Sequence, residues 1–420
     1  MKAARLHHLF FTSFVFALCL IGAGCASVGG SSTASAGPNP SPSPTPNGPT
    51  PTPTPNGPTP TPTPTPVQTS GTFLYVANNG STRQVGGQVD GFRVNADGSL
   101  SPVPGSPFKT ANGSVVVKSD PQGRFVFVGE DGTVPRAPGS NCLAHPSILL
   151  VKRVSPGSGT LTQVQSVTLK GSCIRDIAVD PTSTQLYAGT DDAPGFTGLI
   201  EGFSISATGT LTKMAGSPVA VEGLPLSMAM HPSGKFIYAA TPNVTVLDRD
   251  TATGDLTVRG VFNTAKRQIA LNAAGNWLAG SERDSDNVSE FFVDDGGNIL
   301  ATDNLHPATV PDGIGVDPQG QFFVVGEFVT SANTGGLLTL EQTNPPNGEY
   351  FNTAAPIAAG TNPHSTVFDP TGKFVYTAFA NDDIVAGFVL DRTTGKLTGT
   401  AARPVETGDN PLTLVMVKPQ

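Results

Sequence analysis

Arg267, Asp312 and His364 stand at the same point of a recurring phrase, where a short apolar strand opens. A guanidinium, a carboxylate and an imidazole converging on a concave surface form a binding or acid–base site. Arg175 holds the matching point in an earlier copy, and Val115, Leu226 and Leu412 hold it in others. Solvation alone would also place polar groups at a wet rim. The candidate ligand-binding residues are therefore Arg175, Arg267, Asp312 and His364. Elsewhere the sequence offers less: it has no Gly-x-Ser-x-Gly elbow, no phosphate loop and no His-Glu-x-x-His.

The phrase that must position these residues is a short apolar strand, a turn of Asp-Pro-x-Gly type, and an aromatic-rich strand. It reads Asp120-Pro121-Gln122-Gly123 before Phe125, Asp180-Pro181 before Leu186, and His231-Pro232-Ser233-Gly234 before Phe236. It returns as Asn272-Ala273-Ala274-Gly275, Asp317-Pro318-Gln319-Gly320 and Asp369-Pro370-Thr371-Gly372. Proline presets φ for such a turn, and glycine takes the position that needs φ > 0. A third and a fourth strand follow, clearest in Val385 to Leu390 and then Leu397. Four antiparallel strands per unit, repeated radially every ~50 residues, predict an all-β, seven-bladed propeller. Phe73 to Ala77 lacks a first strand, whereas Asn410 to Val417 is a first strand with nothing after it. The two termini are expected to share one blade and close the ring, which removes exposed sheet edges.

The Asn362-Pro363 strand leading to Asp369-Pro370-Thr371-Gly372-Lys373-Phe374-Val375-Tyr376, and the phrase Asp391-Arg392-Thr393-Thr394-Gly395-Lys396-Leu397-Thr398, resemble the seven-bladed lactonase-type propellers. Those include bacterial 6-phosphogluconolactonases and many surface proteins with related repeats. The resemblance spans Gly71 to Gln420 and is more specific for fold than for activity. It implies an Arg-His pair opening an inner strand and Asn-Glu after the next strand. Arg267 and Glu282 match, while Gln268 replaces the histidine and Ser281 the asparagine. Where such enzymes carry Ser-Asn-Arg-Gly-His, this chain has Val325-Gly326-Glu327-Phe328. The resemblance implies Arg267 for a lactone oxyanion and Glu282 to orient or activate water; in a hydrolase, His364 of the mouth set would be the candidate base.

Residues 1–24 read as a lipoprotein signal peptide: Lys2 and Arg5, an apolar run from Leu9 to Ile21, then Gly22-Ala23-Gly24 before Cys25. That run is too short to span a bilayer. Cys25 is the expected lipidation site, and Ala26 after it favours export beyond an inner membrane. Residues 25–70 read as a spacer, with 14 prolines among the 29 residues from Pro38 to Pro66. Polyproline II geometry at about 3.1 Å per residue gives a stalk on the order of 90 Å. Cys142 and Cys173 remain, and in an exported domain a pair is most simply a disulfide; with His145 they make only a weak metal set. Acidic pairs such as Asp191-Asp192 and Asp382-Asp383 suit solvated turns, with Ca²⁺ as the minor alternative. Asp294-Asp295-Gly296-Gly297 suits a hairpin turn.

The formal charge of −8 and the 13% content of charged residues oppose a nucleic-acid surface, which requires a basic patch. The leading expectation is a monomeric lipoprotein of the bacterial cell envelope, on the outer membrane or cell surface and without a cofactor. Its channel mouth would bind a carbohydrate-like or peptide ligand. The alternative is a lactonase, a carboxylic ester hydrolase acting on sugar lactones; a purely structural envelope protein would bind no small molecule.

Overall fold

The computed structural model describes residues 70–80, 87–131, 145–192, 197–262, 267–329, 334–342, 350–352 and 357–420. The signal segment, Cys25, nearly all of the Pro-rich spacer, and Cys142 lie outside them. The described residues contain strands and turns and no α-helix.

Their strands make seven antiparallel sheets. Blade 1 is built from both ends of the chain, with Pro411–Val417 innermost, then Phe73–Asn78, Gln88–Val94 and Leu100–Pro102. The joining register runs from Phe73 opposite Val417 to Asn78 opposite Pro411. Blades 2 to 7 start on inner strands Ser114–Ser119, Ser172–Val179, Ser227–Met230, Ile269–Leu271, Pro311–Val316 and Pro363–Phe368. Each inner strand touches the next around the circle, including Pro411–Val417 against Ser114–Ser119. The ring is closed, as the repeat predicts.

The sequence phrases now have physical roles. The Asp of the turn accepts the backbone N–H that opens the next strand: Phe125 on Asp120 at 2.8 Å, Phe322 on Asp317 at 2.9 Å, Phe374 on Asp369 at 2.7 Å. Asn272 does the same for Trp277 at 3.1 Å, so the degraded copy keeps the chemistry. Second strands are buried on both faces between neighbouring blades, which explains their unbroken apolar runs.

Four second-strand tyrosines fasten blade to blade. Tyr75 donates to the carbonyl of Gly159, Tyr187 to Gly254, Tyr238 to Gly297 and Tyr376 to Gly98, at 2.6, 2.7, 3.0 and 2.9 Å. Each acceptor lies in the turn between the third and fourth strands of the adjacent blade. Gly98 there has φ +82°, and a Cβ would lie 2.4 Å from the Phe374 ring. The glycine of this turn is thus set by packing and by backbone conformation together.

Burial pushes the Tyr187 hydroxyl up to about 12 and raises Tyr75, Tyr238 and Tyr376 as well. A native phenol that holds its proton above its unfolded value adds stability that is complete below pH ~10 and is lost as pH rises through the folded value. Urea-measured stability is expected to fall steadily above pH ~10. In the folded chain, four of the five tyrosines should show no phenolate absorbance until well above the normal titration. Normal titration of all five in the folded state would contradict the buried bonds.

Candidate active site at the channel mouth

The inner strands surround a central channel of about 770 Å³. Val115, Arg175, Leu226, Arg267, His364 and Leu412 line it, as their matching sequence positions predict. For Val115, Arg175, His364 and Leu412 the local cause is a recurring β-bulge. Pairing to the second strand skips a residue between Ser114 and Val116, between Pro363 and Ser365, and between Pro411 and Thr413. The skipped residues are Val115, His364 and Leu412. Between Pro311 and Ile314 the skip takes in Asp312 and Gly313, and between Ser172 and Asp176 it takes in Arg175. A bulge leaves its extra residue out of the ladder and re-aims its side chain. Just before these strands the backbone is left-handed, at Asn362 (φ 56°), Asn410 (φ 57°) and Val310 (φ 43°). Asparagine adopts that region readily. Val310, a β-branched residue, is held there by its N–H on Asp286 at 2.7 Å.

Asp312 does not line the channel. Its side chain is 3% exposed and lies beneath the mouth as a hub for its neighbours. Its Oδ1 accepts from Arg267 Nε at 3.1 Å and from Gln268 Nε2 at 3.1 Å. Its Oδ2 faces Arg283 Nη1 at 3.8 Å and His364 Nε2 at 4.0 Å. Gln268 also donates to the His364 carbonyl at 3.2 Å, tying blade 5 to blade 7 past blade 6. Close approach of blades 6 and 7 needs Gly313, because a Cβ there would lie 2.6 Å from the His364 carbonyl oxygen. Ser281 fixes the blade 5 end of the hub. It receives Gln268 N–H on its Oγ at 3.1 Å and Arg267 N–H on its carbonyl at 3.0 Å.

The structure therefore brings Arg267, Asp312 and His364 together. Arg175 stands in the channel wall on blade 3, where it draws down the Asp191 carboxyl that burial pushes up. Glu282 lines a second space of about 680 Å³ that also contains Arg267 and Arg283. Its carboxylate accepts from Ser285 Oγ at 2.6 Å and from Ser289 Oγ. Gln268 and Arg283 belong to the constellation but were not among the sequence candidates. Arg283 directly follows Glu282, the one available signal, and it brings a second guanidinium from blade 5 where the family pattern has one on blade 6.

Arg267 is 39% exposed, and among the described residues only its Nε has a protein partner, leaving both Nη groups open to the mouth. Arg283 is 36% exposed at 3.8 Å from Asp312, so its donors too are available. His364 Nδ1 lies 2.9 Å from the Leu412 carbonyl. A carbonyl only accepts, so the proton of the neutral ring sits on Nδ1 and the Nε2 lone pair faces Asp312 Oδ2. Two acceptors that face each other at this distance suit a donor with two O–H groups. Water is the simplest such molecule.

The other acidic candidates are structural staples. Asp382 accepts Thr361 N–H at 2.6 Å and Asp383 accepts Asn410 N–H at 2.7 Å, fixing the segments that lead into inner strands. Glu327, on the blade 6 strand that lacks the family arginine, does the same for Thr309 at 2.8 Å. Asp294 closes the expected hairpin through Asn298 and Gly297.

No family model matches the chain. A 6-phosphogluconolactonase of Erwinia tasmaniensis is 26% identical over 269 residues, covering 60% of this chain and 73% of that protein. A candidate 6-phosphogluconolactonase structure from Bacteroides fragilis aligns over 84% of this chain and all of its own, with a TM-score of 0.69 and 17% identity. This chain resembles a 6-phosphogluconolactonase in sequence and shares a fold with proteins of that name. The periplasmic gluconolactonase of Pseudomonas aeruginosa gives a TM-score of 0.66 over 83% of this chain and all of its own, at 18% identity. The lactonase-like propeller read from the repeats is thereby borne out.

A double-mutant cycle of Arg267→Ala and Asp312→Ala should show a coupling of about 0.5–3 kcal/mol in urea unfolding. Strict additivity would mean that the two groups do not share a hub.

Proposed function

We propose that the mouth hydrolyses the cyclic esters of sugar acids, with Arg267, Arg283, His364 and Asp312 as its working groups. The observation that carries this reading is the pairing of unused guanidinium donors with a histidine whose Nε2 lone pair is fixed by the Leu412 carbonyl. Similarity to a 6-phosphogluconolactonase supports the same reaction class.

In this reading a water donates one O–H to His364 Nε2 and the other to Asp312 Oδ2, leaving its lone pairs free to attack the lactone carbonyl. His364 takes the proton as the C–O bond forms. The carbonyl oxygen becomes an oxyanion, met by Arg267 and Arg283 donors already oriented by Asp312. Collapse breaks the ring C–O bond, and His364 Nε2–H returns its proton to the leaving alkoxide. The product is an open-chain hydroxy acid, which loses its carboxyl proton to solvent and leaves a carboxylate facing the same two guanidinium groups. Glu282, held by two serine hydroxyls, shapes the loop that carries Arg283.

That grip on Glu282 also favours a second reading, a mouth that binds a carbohydrate-like ligand without turning it over. Both readings keep the chain in the envelope, anchored through a lipid on Cys25 and carrying a Cys142–Cys173 disulfide. Cys25→Ser is then expected to move the protein from the membrane pellet to the soluble exported fraction; an unchanged pellet would remove the anchor.

Hydrolysis of glucono-δ-lactone by the purified chain should exceed the spontaneous rate. Arg267→Ala is expected to lower kcat by roughly 10²–10³ and His364→Gln by roughly 10²–10⁴. Glu282→Ala should cost less than either. A folded chain that turns over no lactone in a panel of sugar lactones would overturn the hydrolase reading.

A further inference from the structure

The channel continues below the mouth, and strand register sets which residues stand at each depth. Three residues beyond the matched mouth positions, no more than roughly 10 Å further along the strands, come Ala178, Ala229, Ala270, Gly315, Val367 and Val415. Each lies opposite the tyrosine's place on its own second strand. The seventh residue of this layer, opposite Phe127 on blade 2, is Lys118. All seven stand on described inner strands. The layer therefore consists of six apolar or glycine positions and one ammonium.

Lys118 lines the channel, with its Nζ 3.1 Å from Asp176 Oδ1 on blade 3. Backbone donors also serve that carboxylate: Oδ2 accepts Met228 N–H at 2.7 Å and Oδ1 accepts Ile177 N–H at 2.8 Å. At the same depth Thr413 accepts Val117 N–H at 2.9 Å and Ser365 accepts Leu414 N–H at 3.1 Å. Asp176 thus belongs to a belt in which one inner strand caps the next. Among the described residues it is the one polar partner of Lys118 Nζ. An ammonium has three N–H donors, so two are left for what occupies the channel. In a ring of seven, blade 2 stands opposite the junction of blades 5 and 6. Lys118 is therefore across the channel from Ala270 and Gly315, below the Asp312 hub, and one cavity joins it to Arg267 and His364.

We infer that the channel below the mouth holds the hydroxylated arm of the substrate, and that Lys118 anchors it. The ester sits over Asp312, and the arm runs down past Ala270 and Gly315. Hydroxyl oxygens accept from the ammonium, whereas an alkyl arm would displace its water and give no hydrogen bond in return. The cavity therefore selects polyhydroxylated lactones over unsubstituted ones. This rests on the hydrolase reading above and goes beyond it by naming a specificity-determining residue outside the mouth.

The test compares kcat/KM of the purified full chain and of Lys118→Met for glucono-δ-lactone and for δ-valerolactone, which has the same ring and no hydroxyls. The ratio of variant to unsubstituted chain, taken for each lactone, cancels the difference in their intrinsic reactivity. The loss for glucono-δ-lactone is expected to exceed that for δ-valerolactone by roughly ten- to hundredfold, the range of a hydrogen bond to a charged group. Lys118→Arg, which keeps a cation beside Asp176, should recover part of that loss. Ala270→Leu leaves the ion pair intact and fills the space across from it. It should show the same bias, and it carries the comparison if Lys118→Met does not fold. Equal losses for the two lactones, at an unchanged melting temperature, would overturn the anchor and leave the hydrolase reading standing. Turnover of neither lactone by the unsubstituted chain would overturn both.

Discussion

Everything at the channel mouth depends on the closure of the ring by Phe73–Asn78 pairing with Pro411–Val417. Arg267, Asp312 and His364 come from three blades, and neighbouring inner strands hold Arg267 at 3.1 Å and His364 at 4.0 Å from the Asp312 carboxylate only while the circle is complete. An open array would expose the edge of its first and last blades and free the mouth to splay. Closure by β pairing turns a repeat, in which each blade touches mainly its neighbours, into one cooperative body. The tyrosine-to-glycine bonds reinforce it at four of the seven junctions. Phe127, Ala279 and Val324 stand at the tyrosine's place in the other three blades, where other polar contacts cross the join, such as Arg124 on Ser183, Arg267 on Asp312 and Arg392 on Asp317.

Onto this rigid ring the sequence adds a small local irregularity. Bulges at the heads of four inner strands aim Leu412, Val115, Arg175 and His364 at the channel, and Leu226 and Arg267, just ahead of regular inner strands, join them at the mouth. Its character changes from blade to blade because these positions are released from the pairing pattern. Leu226, Leu412 and Val115 make part of the rim apolar, while blades 5, 6 and 7 make it polar. Burial of Asp312 then converts two neighbouring cations and a histidine from solvated rim residues into an oriented set. The carboxylate loses hydration on burial, and the Arg267 and Gln268 hydrogen bonds compensate for that loss. Preorganisation of this kind gives donors that need no rearrangement when charge develops on a bound ester.

Much of this was legible in the residues. Repeated Asp-Pro-x-Gly turns, runs of aromatic and β-branched residues, and unmatched strands at the two ends specify seven blades and how they close. Matching the strand openings also picks out the residues that face the channel. What the spacing does not convey is depth. Asp312 looks like one more rim residue in the sequence, and only the bulge with Gly313 places it below the rim, where it organises rather than contacts. Gln268 reads as the loss of a histidine, yet its amide bridges the Asp312 carboxylate and the His364 carbonyl. Arg283 is silent in the repeat because it lies beyond the end of a second strand, where blades differ. The role of Glu282 changes for a similar reason, since Ser285 and Ser289, which grip it, follow no repeat pattern.

A crystal structure with gluconate, the open-chain acid that hydrolysis of glucono-δ-lactone would release, tests the central claim most directly. The carboxylate should lie between Arg267 and Arg283, one oxygen toward each guanidinium, with His364 Nε2 on the side away from Leu412. A carboxylate bound elsewhere in the ring, or a mouth that stays empty at saturating gluconate, would show that the Asp312 hub holds the fold together rather than a reacting ester.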